Sequence, residues 1–258
     1  MMETALFLLN TTEAALWHGF LVFLRVGTAV ALLPAFGETS VPTRIKLGLA
    51  VAFTVIVAPA VPVFESAEPT FPLIAQYALT ETMSGFLMGI GIRMFVLALQ
   101  TAGTIGGQST SLAQLLGGAA GEPLPAIGNV LVIAGLALAV TMGLHVYVAR
   151  YLIGSYWLFP AGIFPPREIM TEWSVPHMAQ AFNMAFRLAA PFVIISAIYN
   201  LMLGVINRAM PQLMVAFVGA PLITAGGLFL LFLVAPALLT LWWSAMEAFM
   251  INPVEGLR

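Results

Sequence analysis

Along the chain, polar and charged positions fall into short clusters that separate six long apolar stretches. These are approximately Ala14 to Phe36, Leu47 to Phe64, Leu73 to Ala102, Ala126 to Ala149, Met178 to Asn207 and Leu213 to Met246. Most reach the roughly 20 residues that a helix needs to cross a bilayer. Hydrocarbon offers no water to backbone N–H and C=O groups, and a closed barrel would read as short alternating strands. The runs therefore predict helices, which satisfy their own backbone. Two stretches resist a simple span. Pro59 and Pro62 should end the second helix about two thirds of the way along. Conversely, no charge falls in the 38 residues between Arg208 and Glu247, which as one helix would extend about 57 Å, nearly twice the hydrocarbon thickness. Pro221, Gly226, Gly227 and Pro236 are places to bend there, so a hairpin, a broken helix, or a long helix covered by protein is expected.

Composition agrees and narrows the chemistry. Of 258 residues, 61% are hydrophobic and 8% charged, where a soluble domain carries roughly a quarter charged residues. A net charge of -2 is too small to steer the chain onto nucleic acid, so no nucleic-acid partner is expected. Cys and Asp are both absent and the three His residues are scattered. Thiolate zinc sites, Cys nucleophiles and Asp-based triads are thereby excluded, and neither an enzyme nor a cofactor site is expected. Met1, Met2 and Glu3 carry no basic n-region, so the first apolar run is read as a retained helix. Loop charges are nearly balanced: Arg44, Lys46 and Arg208 on one side, Arg167 and Arg258 on the other. That leaves orientation open and hints that partners settle the final position.

Five ionisable residues sit inside apolar stretches: Arg25, Glu81, Arg93, Arg187 and Glu247. Each costs about 2.5–3.5 kcal/mol at a helix centre, so each should find a carboxylate, a carbonyl or a wet cavity. A fixed ion pair between helices or subunits is favoured over a proton relay, because relays need clustered Asp, Glu or His. His18 and His145 are read likewise as packing residues. The tract from Gly103 to Pro125, GTIGGQSTSLAQLLGGAAGEPLP, holds six Gly and two Pro around an apolar centre at Leu112, Leu115 and Leu116. It is too polar to face lipid and too apolar for a solvent loop. An amphipathic connector is one reading. A movable obstruction, with glycine hinges and a leucine stopper, is the other.

Three stretches together resemble the FliR family, the export-gate subunits of flagellar type III secretion systems, whose injectisome counterparts are the SctT proteins. The first is RVGTAVALLPAFGETSVPTRIKLGLAVAFTVIVAP, Arg25 to Pro59. The second is the Gly-rich tract ending in Gly121, Glu122 and Pro123. The third is NRAMPQLMVAFVGAPL, Asn207 to Leu222. The Asn-Arg form favours the flagellar branch, and Glu122 departs from the Asp that many members carry before Pro.

The resemblance implies an all-α integral membrane-type protein of long, partly broken helical hairpins. A FliP-like part (1–175, with the plug tract 103–125) and a FliQ-like hairpin (176–258) would form a single export-gate domain, packed in a hetero-oligomeric helical cone. It implies FliP-type and FliQ-type partner subunits, FlhB-type and FlhA-type export proteins nearby, and unfolded flagellar subunits in transit. The location implied is multi-pass in the bacterial inner membrane, at the flagellar basal body. It also assigns a pore plug loop to Gly106, Gly107, Gln108, Ser109, Leu112, Leu115, Leu116, Gly117, Gly118, Gly121, Glu122 and Pro123. Buried ionic or assembly contacts are expected at Arg25, Arg44, Lys46, Glu81, Arg93, Arg187, Arg208, Pro211 and Gln212. The alternative from another class is a subunit of a secondary transporter or small-solute channel, which should show repeated halves with paired interruptions; no convincing repeat is present.

Overall fold

The computed structural model describes residues 2–64, 70–110, 126–210 and 215–253. Every regular element in them is helical: α1 (Met2–Leu32), α2 (Thr43–Val57) with a 3₁₀ turn (Ala58–Ala60), α3 (Phe71–Thr110), α4 (Ala126–Thr141), α5 (Leu144–Leu158), α6 (Arg167–Ala209) and α7 (Val215–Ile251). Among the described residues, five helices are long and apolar enough to cross a membrane. Ile127–Thr141 with Leu144–Leu158 forms a further broken span or re-entrant pair.

The two awkward stretches resolve in different ways. As expected from its prolines, α2 stops after 15 residues and tightens into the 3₁₀ turn. Pro62 has no N–H to give to the Ala58 carbonyl four residues earlier, and His18 Nε2 donates to that carbonyl instead, at 2.8 Å. His18 is thus a satisfied packing histidine on that side of its ring. His18→Leu should lower stability by about 1 kcal/mol, read as a lower thermal midpoint in detergent, whereas His18→Gln should recover part of the loss.

The charge-free run behaves otherwise. After the end of α6, α7 continues unbroken for 37 residues through Pro221, Gly226, Gly227 and Pro236. None of the anticipated bends ends the helix, and what results is a helix of about 55 Å. The stretch read as one run from Ala126 to Ala149 is instead divided, because Gly143 takes a φ of 85°, a left-handed conformation that ends a helix at low cost only for glycine.

Two compact units share these helices. The first contains α1, α2, α3 up to Arg93, α5 and the chain through His177, and the end of α7 from Glu247. Its core is a set of helical stripes: Leu21, Val22, Val26 and Ala29 on α1, Met88 and Ile92 on α3, and Leu144, Val148, Tyr151 and Leu152 on α5. These spacings of three and four put each set on one face.

The second unit contains α3 from Met94, α4, and the greater parts of α6 and α7. Val96, Leu99, Leu131, Leu188, Phe192 and Trp242 are buried in it. The indole Nε1–H of Trp242 donates to the Phe95 carbonyl at 2.8 Å, which supplies the partner that a buried Trp requires.

Candidate functional site

The deepest charges in the first unit are brought together. Arg25 on α1 and Glu81 on α3 are both fully buried and meet side by side, with Nε to Oε2 at 2.8 Å and Nη2 to Oε1 at 3.1 Å. Such a bidentate match of guanidinium to carboxylate is the strong form of the ion pair. The rest of the guanidinium is also occupied. Nη1 donates to Ser155 Oγ at 3.2 Å, and the carbon of the fork lies 3.7 Å from the Tyr156 ring centroid. Glu81 Oε1 also accepts the Gly162 N–H at 3.3 Å, and the Gly162 carbonyl accepts from Gln76 Nε2 at 2.9 Å. Gly162 has a φ of 72°, and a Cβ there would lie 2.6 Å from the Tyr77 ring.

Glycine permits the central approach too. A Cβ on Gly85 would sit 2.2 Å from the Arg25 carbonyl oxygen, so α1 and α3 touch backbone to backbone one turn beyond Glu81. These contacts join α1, α3, α5 and the turn before α6 like a pin, with Arg25 and Glu81 paired between helices. Ser155, Tyr156 and Gly162 were not predicted as its members, since nothing in the spacing of α5 against α1 announces the contact.

The other predicted charges divide. Arg93 Nη1 meets Glu38 Oε1 at 2.5 Å, partly buried, and Lys46 Nζ donates to the Gly37 carbonyl at 3.0 Å. Both contacts tie the loop between α1 and α2. Glu38 escaped prediction because it lies outside every apolar stretch. Glu247 accepts from Tyr147 Oη at 2.5 Å. Arg44, Arg187 and Arg208 are exposed and make no ion pair among the described residues. Pro211 and Gln212 lie outside the described residues.

The first residues of the proposed plug loop are helical. Gly106, Gly107, Gln108 and Ser109 belong to the end of α3, and the remaining plug positions, Leu112, Leu115, Leu116, Gly117, Gly118, Gly121, Glu122 and Pro123, lie outside the described residues. Helix persists through these glycines because packing compensates their poor propensity. A Cβ on Gly106 would meet the Phe192 ring at 3.1 Å, and one on Gly103 would come within 2.2 Å of Gly128 Cα. Here α3 and α4 cross with no side chain between them, so the two ends of the tract are held by one backbone contact. The Ser109 carbonyl lies in the last described turn of α3. Ser196 Oγ on α6 donates to it, and Asn200 Nδ2 supports Ser196 at 3.4 Å.

Among the described residues no group of three or more His, Cys, Asp or Glu side chains is placed to hold a metal ion. The arrangement offers packing, a fixed internal ion pair and a tethered Gly-rich tract.

Comparison with known proteins gives a consistent result. The family model described as "Bacterial export proteins, family 1" matches residues 16–249. The chain is 32% identical over 225 residues to the flagellar biosynthetic protein FliR of Caulobacter vibrioides, covering 86% of this chain and 90% of that one. It is 28% identical over 220 residues to FliR of Escherichia coli K12, covering 84% of each, and 28% identical over 227 residues to FliR of Aquifex aeolicus, covering 88% of each. Matched over nearly its whole length, the chain belongs to the bacterial export proteins of family 1, the family of the flagellar biosynthetic protein FliR.

Proposed function

We propose that this chain is one wedge of the flagellar export channel and that its Gly-rich tract is the movable obstruction in the pore. The chain is a multi-span helical membrane protein and a component of the flagellar type III export apparatus. One observation carries the finer reading. Helix α6 has 43 residues, about 65 Å, and along its most apolar window only 17% is buried within the chain. Phe182, Phe186, Ile198, Leu201 and Val205 are among its exposed side chains. A bilayer of about 30 Å cannot cover such a length, and exposed apolar surface on this scale marks a protein interface. α7 makes the same demand, apolar on all sides with Phe229 and Phe232 exposed.

The occupants that suit these faces are the helices of FliP-type and FliQ-type subunits in a hetero-oligomeric cone in the inner membrane, at the flagellar basal body. FlhB-type and FlhA-type proteins serve the same route, and unfolded flagellar subunits are the cargo. In this reading 1–175 packs as the FliP-like part and 176–258 as the FliQ-like hairpin. Leu112, Leu115 and Leu116 block the pore at rest, because a channel wide enough for a polypeptide would otherwise dissipate the ion gradient. Arg208, Pro211 and Gln212 make an assembly contact.

Deleting Gln108 to Gly118 tests the plug. Cells should leak ions while the chain still co-purifies with its two kinds of small helical partner. An assembled complex with unchanged permeability would leave the tract as a connector only.

A further inference from the structure

Nothing in the export reading employs the groove between α5 and the end of α7. Its volume is about 420 Å³, and its walls include Tyr147, Arg150, Gly154 and Trp157 on α5 and Met250 and Ile251 on α7. Arg150, Gly154 and Trp157 are spaced by four and three residues, which puts them on one face of the helix. The groove is polar at one end and apolar at the other. Arg150 is exposed and forms no ion pair among the described residues, and Oε1 of the nearby Glu247 already accepts the Tyr147 hydroxyl. About 10 Å further along α5, Trp157 leaves 88% of its surface uncovered.

The walls are held in place by contacts that do not involve a ligand. Tyr151 Oη donates to the Met88 carbonyl at 3.3 Å and its ring packs on Phe249 with centroids 5.6 Å apart. Trp173 Nε1 donates to the Pro253 carbonyl at 3.0 Å, beyond the last turn of α7. Gly154 opens the middle of the groove, since a Cβ there would meet no atom within 4 Å. A preformed site of this kind binds without first ordering its own side chains.

We infer that this groove holds one anionic phospholipid, its phosphate on the Arg150 guanidinium and an acyl chain running past Gly154 toward Trp157. Charge complementarity carries the assignment. Arg150, a cation with no ion pair among the described residues, favours an anion at one end, and the apolar remainder favours a molecule with a hydrocarbon tail. Basic pockets between membrane helices take lipid head groups in this way, and Tyr147, beside Arg150 in the lining, is a residue type that settles at head-group depth.

The test titrates the detergent-purified, delipidated full-length chain, with its co-purifying subunits, with phosphatidylglycerol, and reads bound lipid by native mass spectrometry. Phosphatidylethanolamine is the neutral control, and inorganic phosphate represents the head group alone. Phosphatidylglycerol should bind about tenfold more tightly than phosphatidylethanolamine, which has the same phosphate but adds an ammonium group that repels the Arg150 guanidinium and cancels the head group's net charge. Arg150→Gln should abolish that preference, and Gly154→Phe, whose Cβ meets no protein atom within 4 Å and whose ring adds bulk to the groove wall, should reduce binding of both lipids. Inorganic phosphate at millimolar concentration should displace neither.

Equal binding of the two lipids by the unaltered chain would overturn the inference, as would variants that bind phosphatidylglycerol like the parent. Displacement by phosphate alone would make this an anion site rather than a lipid site. Loss of a partner subunit from both variants would assign the groove to protein.

Discussion

Glu81→Ala should destabilise the first unit by about 3–5 kcal/mol, the loss expected when one partner of a buried ion pair is removed and the other stays charged. Arg25 would then keep its charge at full burial, with Ser155 Oγ as a hydrogen-bond acceptor and the Tyr156 face beside it. The guanidinium is fully buried and α1 and α3 are in backbone contact at Gly85. The measurable result is loss of folded chain from detergent extracts and a strongly lowered thermal midpoint. Glu81→Gln should fall between, since an amide oxygen still accepts from the guanidinium but carries no charge.

The double replacement Arg25→Met with Glu81→Leu separates pairing from packing. Swapping both charges for apolar side chains of similar volume is often nearly neutral, so the double variant should recover most of the stability that Glu81→Ala loses. If it is as unstable as the single variant, the pin holds these helices through specific bonds and the charge argument fails. Gly85→Ala provides a check on the geometry, because it leaves both charges intact yet pushes a methyl into the Arg25 carbonyl.

The sequence reveals much of this molecule because membrane helices write their constraints locally. Long apolar runs, the prolines that shorten α2, and costly charges such as Arg25 and Glu81 can each be read without knowing what lies next to them. The contacts that complete the pin could not be read. Ser155 and Tyr156 are 130 and more residues from Arg25, and their pairing depends on which stripe of α5 faces α1. Bend positions were misplaced for a related reason. Pro221, Gly226, Gly227 and Pro236 can break a helix in isolation, but α7 runs through all four, whereas Gly143, in a run read as continuous, takes the left-handed φ that ends a helix. Of the Gly-rich tract, sequence identified the composition, and the structure adds what holds its near end: Phe192 against Gly106, and Ser196 on the Ser109 carbonyl.

Gly103→Ala and Gly128→Ala should differ sharply, although both add one methyl to the same crossing of α3 and α4. The methyl on Gly103 would fall 2.2 Å from Gly128 Cα and 3.0 Å from its nitrogen. Those are backbone atoms that no rotamer change can move, so the helices must part by about 1 Å, an overpacking that costs about 1–3 kcal/mol. The methyl on Gly128 would meet the Gly103 carbonyl carbon at 3.3 Å and its Cα at 3.5 Å, a contact relieved by a few tenths of an ångström. Replacing a helical glycine by alanine gains about 1 kcal/mol in propensity, so Gly128→Ala should be neutral or slightly stabilising. The functional consequence follows from position. Gly103 and Gly128 stand on either side of the Gly-rich tract, and parting α3 from α4 loosens both of its attachments while leaving its sequence intact. Gly103→Ala cells should therefore leak ions and lose motility, and Gly128→Ala cells should do neither, with thermal midpoints of the purified complexes ordered in the same way. Equal damage from the two variants would mean that the crossing tolerates no methyl on either side, and the tract's function could not then be attributed to how its ends are held.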